Sequence, residues 1–213
     1  MNLRTLLPMF ALTLTTGWAQ ALYPEIENKL QRYEETADKS VLDGAKLGIE
    51  QLAAADRNST KGRLLLSRVA LAESRFADAL KLAQAVNREV PDELDAYGLI
   101  VDAARGLGKT KEAEEAADWM IRLRPEDPRG LWRVALLRQD FKDYAGAEQV
   151  LNDSYARVPR TELTMRARMM TEMARIYGKT GRDAEAKRFL EQAVKLVPNY
   201  HPAIVLMRRT EEK

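Results

Sequence analysis

Two triplets, Gly108-Lys109-Thr110 and Gly178-Lys179-Thr180, end like a phosphate-binding loop. In such a loop, backbone N–H groups and a lysine cradle the phosphates. The full loop also needs a glycine five residues upstream, where this chain has Ala103 and Met173. It needs a preceding strand as well, whereas Tyr97, Ile100, Val101 and Ala104 recur at helical spacing. Both triplets therefore read as helix ends, with glycine taking a left-handed turn and lysine near the negative pole of the dipole. His201 is the only histidine and there is no cysteine. One imidazole without such partners makes neither a metal site nor a base–nucleophile pair. It reads as an exposed turn residue at the start of a terminal helix. The adjacent carboxylates Asp92-Glu93 and Glu114-Glu115 fall on helices or their first turns, where acids complement the positive helix N-terminus. No catalytic residue, metal ligand or cofactor is implied.

The first 21 of the 213 residues stand apart from the rest. Arg4 precedes a stretch of Leu, Met, Phe, Ala and Thr without charge, and Ala19-Gln20-Ala21 offers the small-x-small pattern of signal-peptidase cleavage. The apolar run is shorter than the roughly 20 residues that span a bilayer. An export signal with Leu22 as first mature residue is expected, placing the protein in the periplasm or outside the cell, with no integral membrane segment after cleavage. Without disulfides, such a protein must be stabilised by its core, and 46% apolar residues suffice for one. Residues 22–127 carry 21 Asp and Glu against 16 Lys and Arg, a net of −5. Residues 128–213 carry 17 Lys and Arg against 11 Asp and Glu, a net of +6. This gradient can steer a partner or reflect mixed charge on exposed helices. Export makes nucleic acid an unsuitable partner.

The elements that must position all these residues follow a ruler. Pro91, Pro125 and Pro159 stand 34 residues apart, a period typical of stacked repeats. Before each proline, and before Pro198, the same slots recur: Ala79, Ala83, Val86; Ala113, Ala117, Met120; Ala147, Leu151, Ser154; Ala186, Leu190, Ala193. Their spacing puts them on one helix face. The constant alanine suits a close helix crossing, and proline ends the helix. Upstream of each lies a second helical stripe: Tyr97, Ile100, Val101 and Ala104; Leu131, Val134 and Ala135; Met170, Met173, Ala174 and Tyr177. Turns are expected at Gly106–Thr110, Lys142–Tyr144 and Lys179–Asp183.

Helix, tight turn, helix and proline exit at this period resembles the tetratricopeptide repeat (TPR) family, with the closest run at Met170-x-x-Met173-Ala174-x-x-Tyr177 followed by Gly181, Ala186, Leu190, Ala193 and Pro198. The expected fold is an all-α, right-handed helical-repeat solenoid of about five units at 26–59, 60–93, 94–127, 128–161 and 162–200. The array occupies 22–200, and 201–213 forms a capping helix. The interval from Pro159 to Pro198 is 39, so the first helix of the last unit should be longer, with Thr161 as its N-cap.

The resemblance implies a non-catalytic protein that binds a protein or peptide on the concave face formed by the first helix of each unit. Phase places Glu27, Glu34 and Asp38 there from unit one, and Lys61, Leu64 and Arg68 from unit two. Unit three offers Asp95, Gly98, Asp102 and Arg105; unit four Arg129, Trp132, Leu136 and Gln139; unit five Arg168, Thr171, Arg175 and Lys179. Trp132 either projects into the groove beside the gap left by Gly98 or packs against the neighbouring repeat. Arg129, Arg168, Arg175 and Lys179 form either a basic patch for carboxylates or a solvated face. The expected role is an exported scaffold or adaptor serving an envelope or secreted complex. Its alternatives are self-association of the acidic half of one copy with the basic half of another, and an accessory module for cell-wall glycan or lipid.

Overall fold

The computed structural model describes residues 7–211, with side chains from Ala21 to Thr210. Residues 1–20 of the expected export signal lie outside the described side chains. The described residues form twelve helices. Five helical hairpins follow one another: α1 (Leu7–Thr36) with α2 (Lys39–Gln51), α4 (Thr60–Ala72) with α5 (Phe76–Glu89), α6 (Leu94–Gly106) with α7 (Thr110–Leu123), α8 (Pro128–Asp140) with α9 (Tyr144–Arg157), and α10 (Leu163–Lys179) with α11 (Asp183–Leu196). A single turn, α3 (Ala54–Arg57), separates the first two hairpins, and α12 (His201–Glu211) closes the stack. This is an all-α, TPR-like solenoid. No described helix is long and apolar enough to cross a membrane.

The turns obey the same ruler as the prolines. Ser74, Gly108, Lys142 and Gly181 each adopt a left-handed backbone, with φ of 58°, 69°, 61° and 77°. The next residue then donates its N–H five residues back: Arg75 to Ala70, Lys109 to Ala104, Asp143 to Arg138 and Arg182 to Tyr177, at 2.8–2.9 Å. This bond satisfies a carbonyl left free at the helix end. Gly178 lies inside α10, so Gly181 takes the left-handed position in the second triplet region. The residues ahead of the prolines, Val90, Arg124, Val158 and Val197, leave their helices with ψ between 78° and 123°, because a following proline disfavours helical geometry.

The outer helices bury the expected slots. Ala79, Ala113 and Ala147 are fully buried, as are Ala83, Val86, Leu151, Leu190 and Ala193. Ser154, the polar member, donates to the Pro128 carbonyl at 2.7 Å and so crosses to the inner helix of its own hairpin without an unpaired hydroxyl. α10 has 17 residues where α4, α6 and α8 have 13, which accounts for the long last interval. Its N-cap is Glu162 and not Thr161; Thr161 lies one residue further out and accepts the Leu163 N–H through its carbonyl at 3.0 Å. His201 is the exposed first residue of α12, while Tyr200 just before the helix and Ala203 within it are buried.

Candidate functional site: the concave face

The inner helices α1, α4, α6, α8 and α10 surround a cavity of about 460 Å³. Its apolar lining comes from Leu30, Tyr33, Leu64, Leu71, Leu94 and Leu99, and its polar lining from charged residues of all five helices. Of the residues expected to meet a partner, Arg68, Gly98, Asp102, Arg129 and Arg168 line this cavity. Arg105, Trp132, Arg175 and Lys179 do not.

The charges are arranged as a ladder between neighbouring units. Lys61 pairs with Glu27 at 3.1 Å, Arg68 with Glu34 at 2.7 Å, and Arg129 with Asp95 at 2.6 Å. Each pair joins positions 34 residues apart, the same slot in consecutive hairpins. Arg105 meets Asp140 at 2.7 Å and Arg133 meets Asp102 at 2.7 Å. Asp127, the N-cap of α8, accepts from the Arg129 backbone N–H at 2.9 Å and from its guanidinium. Burial acts to raise the Asp127 carboxyl, but these Arg129 hydrogen bonds outweigh it and hold the group below its ordinary value.

Trp132 does not project into the groove. It is 7% exposed and belongs to the C-terminal core cluster with Ala135, Ala167 and Met170. The guanidiniums of Arg133 and Arg168 lie 4.9 and 5.1 Å from its ring centroid and cover the indole. Its Nε1–H has no acceptor among the described residues. The gap beside Gly98 is likewise filled: Arg133 Nε donates to the Gly98 carbonyl at 3.1 Å, and a Cβ there would approach the guanidinium within 2.9 Å. The physical reason is shared. Long arginines of one unit lie down over the inner face of the previous one, so their stems and charges occupy the space that phase alone leaves open.

The expected basic patch is also divided. Arg129 and Arg168 are engaged by acids, and Arg175 meets Glu172 at 3.3 Å; Lys179 is exposed at the end of α10. Glu172 sits among Arg105, Arg168 and Arg175, yet burial dominates and pushes its carboxyl above the ordinary value.

One acid does more than pair with its neighbour. The Glu34 carboxylate accepts from Arg68 on one oxygen and from Arg168 on the other, both at 2.7 Å. Arg168 belongs to the last hairpin, so this contact joins the two ends of the array. Thr164 donates to Glu35 at 2.5 Å beside it, and Tyr200 is buried next to Arg168. Burial acts to raise the Glu34 carboxyl, but the charges and hydrogen bonds of Arg168 and Arg68 together hold it below its ordinary value. The acidic half of the chain thus meets the basic half within one molecule. Sequence reading placed Glu34 and Arg168 on the concave face but not together, and it passed over Arg133. The opposite charges at the 34-residue offset were the available signal for the ladder; nothing local signals the closure.

Among the described residues, no group of His, Asp or Glu could hold a metal ion. The sequence model of the tetratricopeptide repeat matches residues 167–200, covering most of α10 and α11. Among solved structures, TTC0263, a thermophilic TPR protein of Thermus thermophilus, aligns with a TM-score of 0.70 at 18% identity, over 88% of this chain and 100% of that one. The APC/C hetero-tetramer Cut9–Hcn1 aligns at 0.69 with 15% identity, over 92% of this chain and 40% of that one. MamA from Desulfovibrio magneticus RS-1 aligns at 0.52 with 11% identity, over 84% and 97%. Likeness at these identities establishes the fold, a TPR-like solenoid. No curated protein matches the chain.

Proposed function

We propose that the chain is an exported, non-catalytic scaffold that holds a short segment of a protein partner in the concave cavity, supporting assembly or stability of an envelope or secreted complex. The observation that carries this reading is the cavity itself, with apolar walls from α1, α4 and α6 and charged edges from all five inner helices. Its volume of about 460 Å³ lies low in the roughly 300–1,000 Å³ range of ligand pockets. It suits a few side chains of an extended segment better than a helix, which is about 10–12 Å across with its side chains. The ladder of ion pairs holds the lining side chains in place, so little ordering entropy is lost on capture. Export is supported by the uncharged apolar run and the Ala19-Gln20-Ala21 pattern ahead of Leu22. Among the described side chains, Leu22 and Tyr23 pack against the N-terminal core cluster, and the Tyr23 hydroxyl donates to the Asp56 carbonyl at 3.0 Å. Pro24 lies inside α1; cleavage after Ala21 would leave it in the first helical turn, where proline is tolerated.

The test is a photoreactive residue at Leu64 in the cavity, compared with one at Leu47 on the outer helix α2, in cells making the full chain. One protein should be captured from Leu64, not from Leu47, and its yield should fall when Ala72→Phe fills the cavity. Equal capture from both positions would remove the cavity as the binding site, and retention of the protein in the cytoplasm would remove the export reading.

A further inference from the structure

The two ends of the array meet where α1 comes against α10 and the closing helix α12. Between neighbouring hairpins, apolar residues interlock beneath the ion-pair ladder. Between α1 and α10, the described link is the ion pair of Glu34 with Arg168 and the hydrogen bond from Thr164 to Glu35. The geometry at Glu34 is that of a bridge, one oxygen to Arg68 of the second hairpin and the other to Arg168 of the fifth. Arg168 is held for this role from behind, because its guanidinium lies over the buried Trp132 ring. All three members of the bridge line the central cavity. While they are joined, the inner helices form a ring, and an extended partner chain cannot be laid in from the side.

We infer that the Arg68–Glu34–Arg168 bridge is a charge latch that shuts the solenoid around its cavity and must part before a partner segment is admitted from the side. The admission clause rests on the cavity being the binding site; the latch itself does not. Partly exposed ion pairs contribute little net stability, and the side chains of Glu34 and Arg168 are 37% and 23% exposed. A contact of that strength leaves the closed and open rings close in free energy, as a reversible gate requires. The hairpins stack without it, so opening need not unfold the array.

The absence of cysteine permits a direct measurement. Spin labels on Leu47→Cys in α2 and Glu191→Cys in α11, both exposed, report the separation of the two ends. One narrow distance distribution is expected for the otherwise unchanged chain. Arg168→Glu should broaden it toward longer distances with helical circular dichroism retained. Arg105→Gln, which removes a ladder pair that does not touch Glu34, should leave it unchanged. About 1 M salt, where the Debye length falls to about 3 Å, should reproduce the opening. An unchanged distribution in folded Arg168→Glu overturns the latch. If that variant does not fold, an unchanged distribution at high salt overturns it instead. Admission is read from Leu64→Cys, which should react about tenfold faster with a bulky polyethylene-glycol maleimide when Arg168→Gln removes the charge-assisted bond. Longer end-to-end distances without faster labelling would refute the gating of the cavity. An open, accessible cavity that captures nothing from Leu64 would instead refute the binding site and leave the latch standing.

Discussion

The seam between the third and fourth hairpins and the seam that closes the first on the fifth both carry ion pairs, but only in the first do the pairs overlie a shared apolar cluster among the described residues. In the first, Met120 and Leu137 are almost fully buried in one apolar cluster. Gly130 lets α8 approach α7 so closely that an added Cβ would lie 3.2 Å from Ile121. In the second, the carboxylates of Glu34 and Glu35 meet the Arg168 guanidinium and the Thr164 hydroxyl, and Arg68 of the second hairpin completes the bridge. Burial of apolar area is insensitive to salt and pH near neutrality, whereas charge pairs at partly exposed sites respond to both. The stack is therefore fixed, and the ring is adjustable.

Four perturbations separate the two seams, in falling order of effect. Ala147→Glu puts an unpaired charge into a fully buried helix crossing and should cost about 4–5 kcal/mol or more; a thermal melt near that of the unaltered chain would contradict the apolar stack. Trp132→Ala removes a buried indole under two guanidiniums and should cost about 3–5 kcal/mol in urea unfolding. An unshifted midpoint would return Trp132 to the groove.

Arg168→Gln belongs to the other seam. It should change global stability by no more than about 1 kcal/mol, while small-angle scattering reports a larger radius of gyration. Acid should do the same to the unaltered chain. Glu34 has a lowered pKa in the fold and is faced by Arg68 from α4 and Arg168 from α10. The closure is complete above about pH 4.5, the ordinary value of the carboxyl, and is lost as pH falls below it through the lower folded value. A radius independent of pH across that window would mean that other contacts hold the ring. The smallest effect lies at a turn. Lys142 holds a left-handed backbone that glycine adopts freely, so Lys142→Gly should stabilise the array by about 0.5–1 kcal/mol. Its magnitude should not depend on salt, because the turn is part of the stack.

The outer helices were legible because their requirements are local. A slot such as Ala79, Ala113 or Ala147 must be small wherever two helices cross closely, so the residue type reports the contact. The hairpin turns at Gly108 and Gly181 were legible for the same reason. The turn at Lys142–Tyr144 was legible too, but the left-handed backbone of Lys142 was not, and nothing marked a turn at Ser74, because those residue types do not advertise a positive φ. On the inner helices, phase brought Gly98, Arg129 and Arg168 to the concave face but misplaced Trp132. The angular difference between a buried and a groove-facing slot is one residue, and what covers that slot is contributed by Arg133 and by a helix one hairpin away.

The sequence by itself determined the period, the hairpins, their exits at proline and the apolar face of each outer helix, since these depend on residues within one unit or the next. It also contained the charge ladder, as opposite signs 34 residues apart. Only the tertiary structure decided that Glu34 meets Arg168 across 134 residues. That meeting depends on the accumulated rotation of every hairpin between them, which no local pattern encodes. It converts a charge gradient along the chain into the closure of a ring.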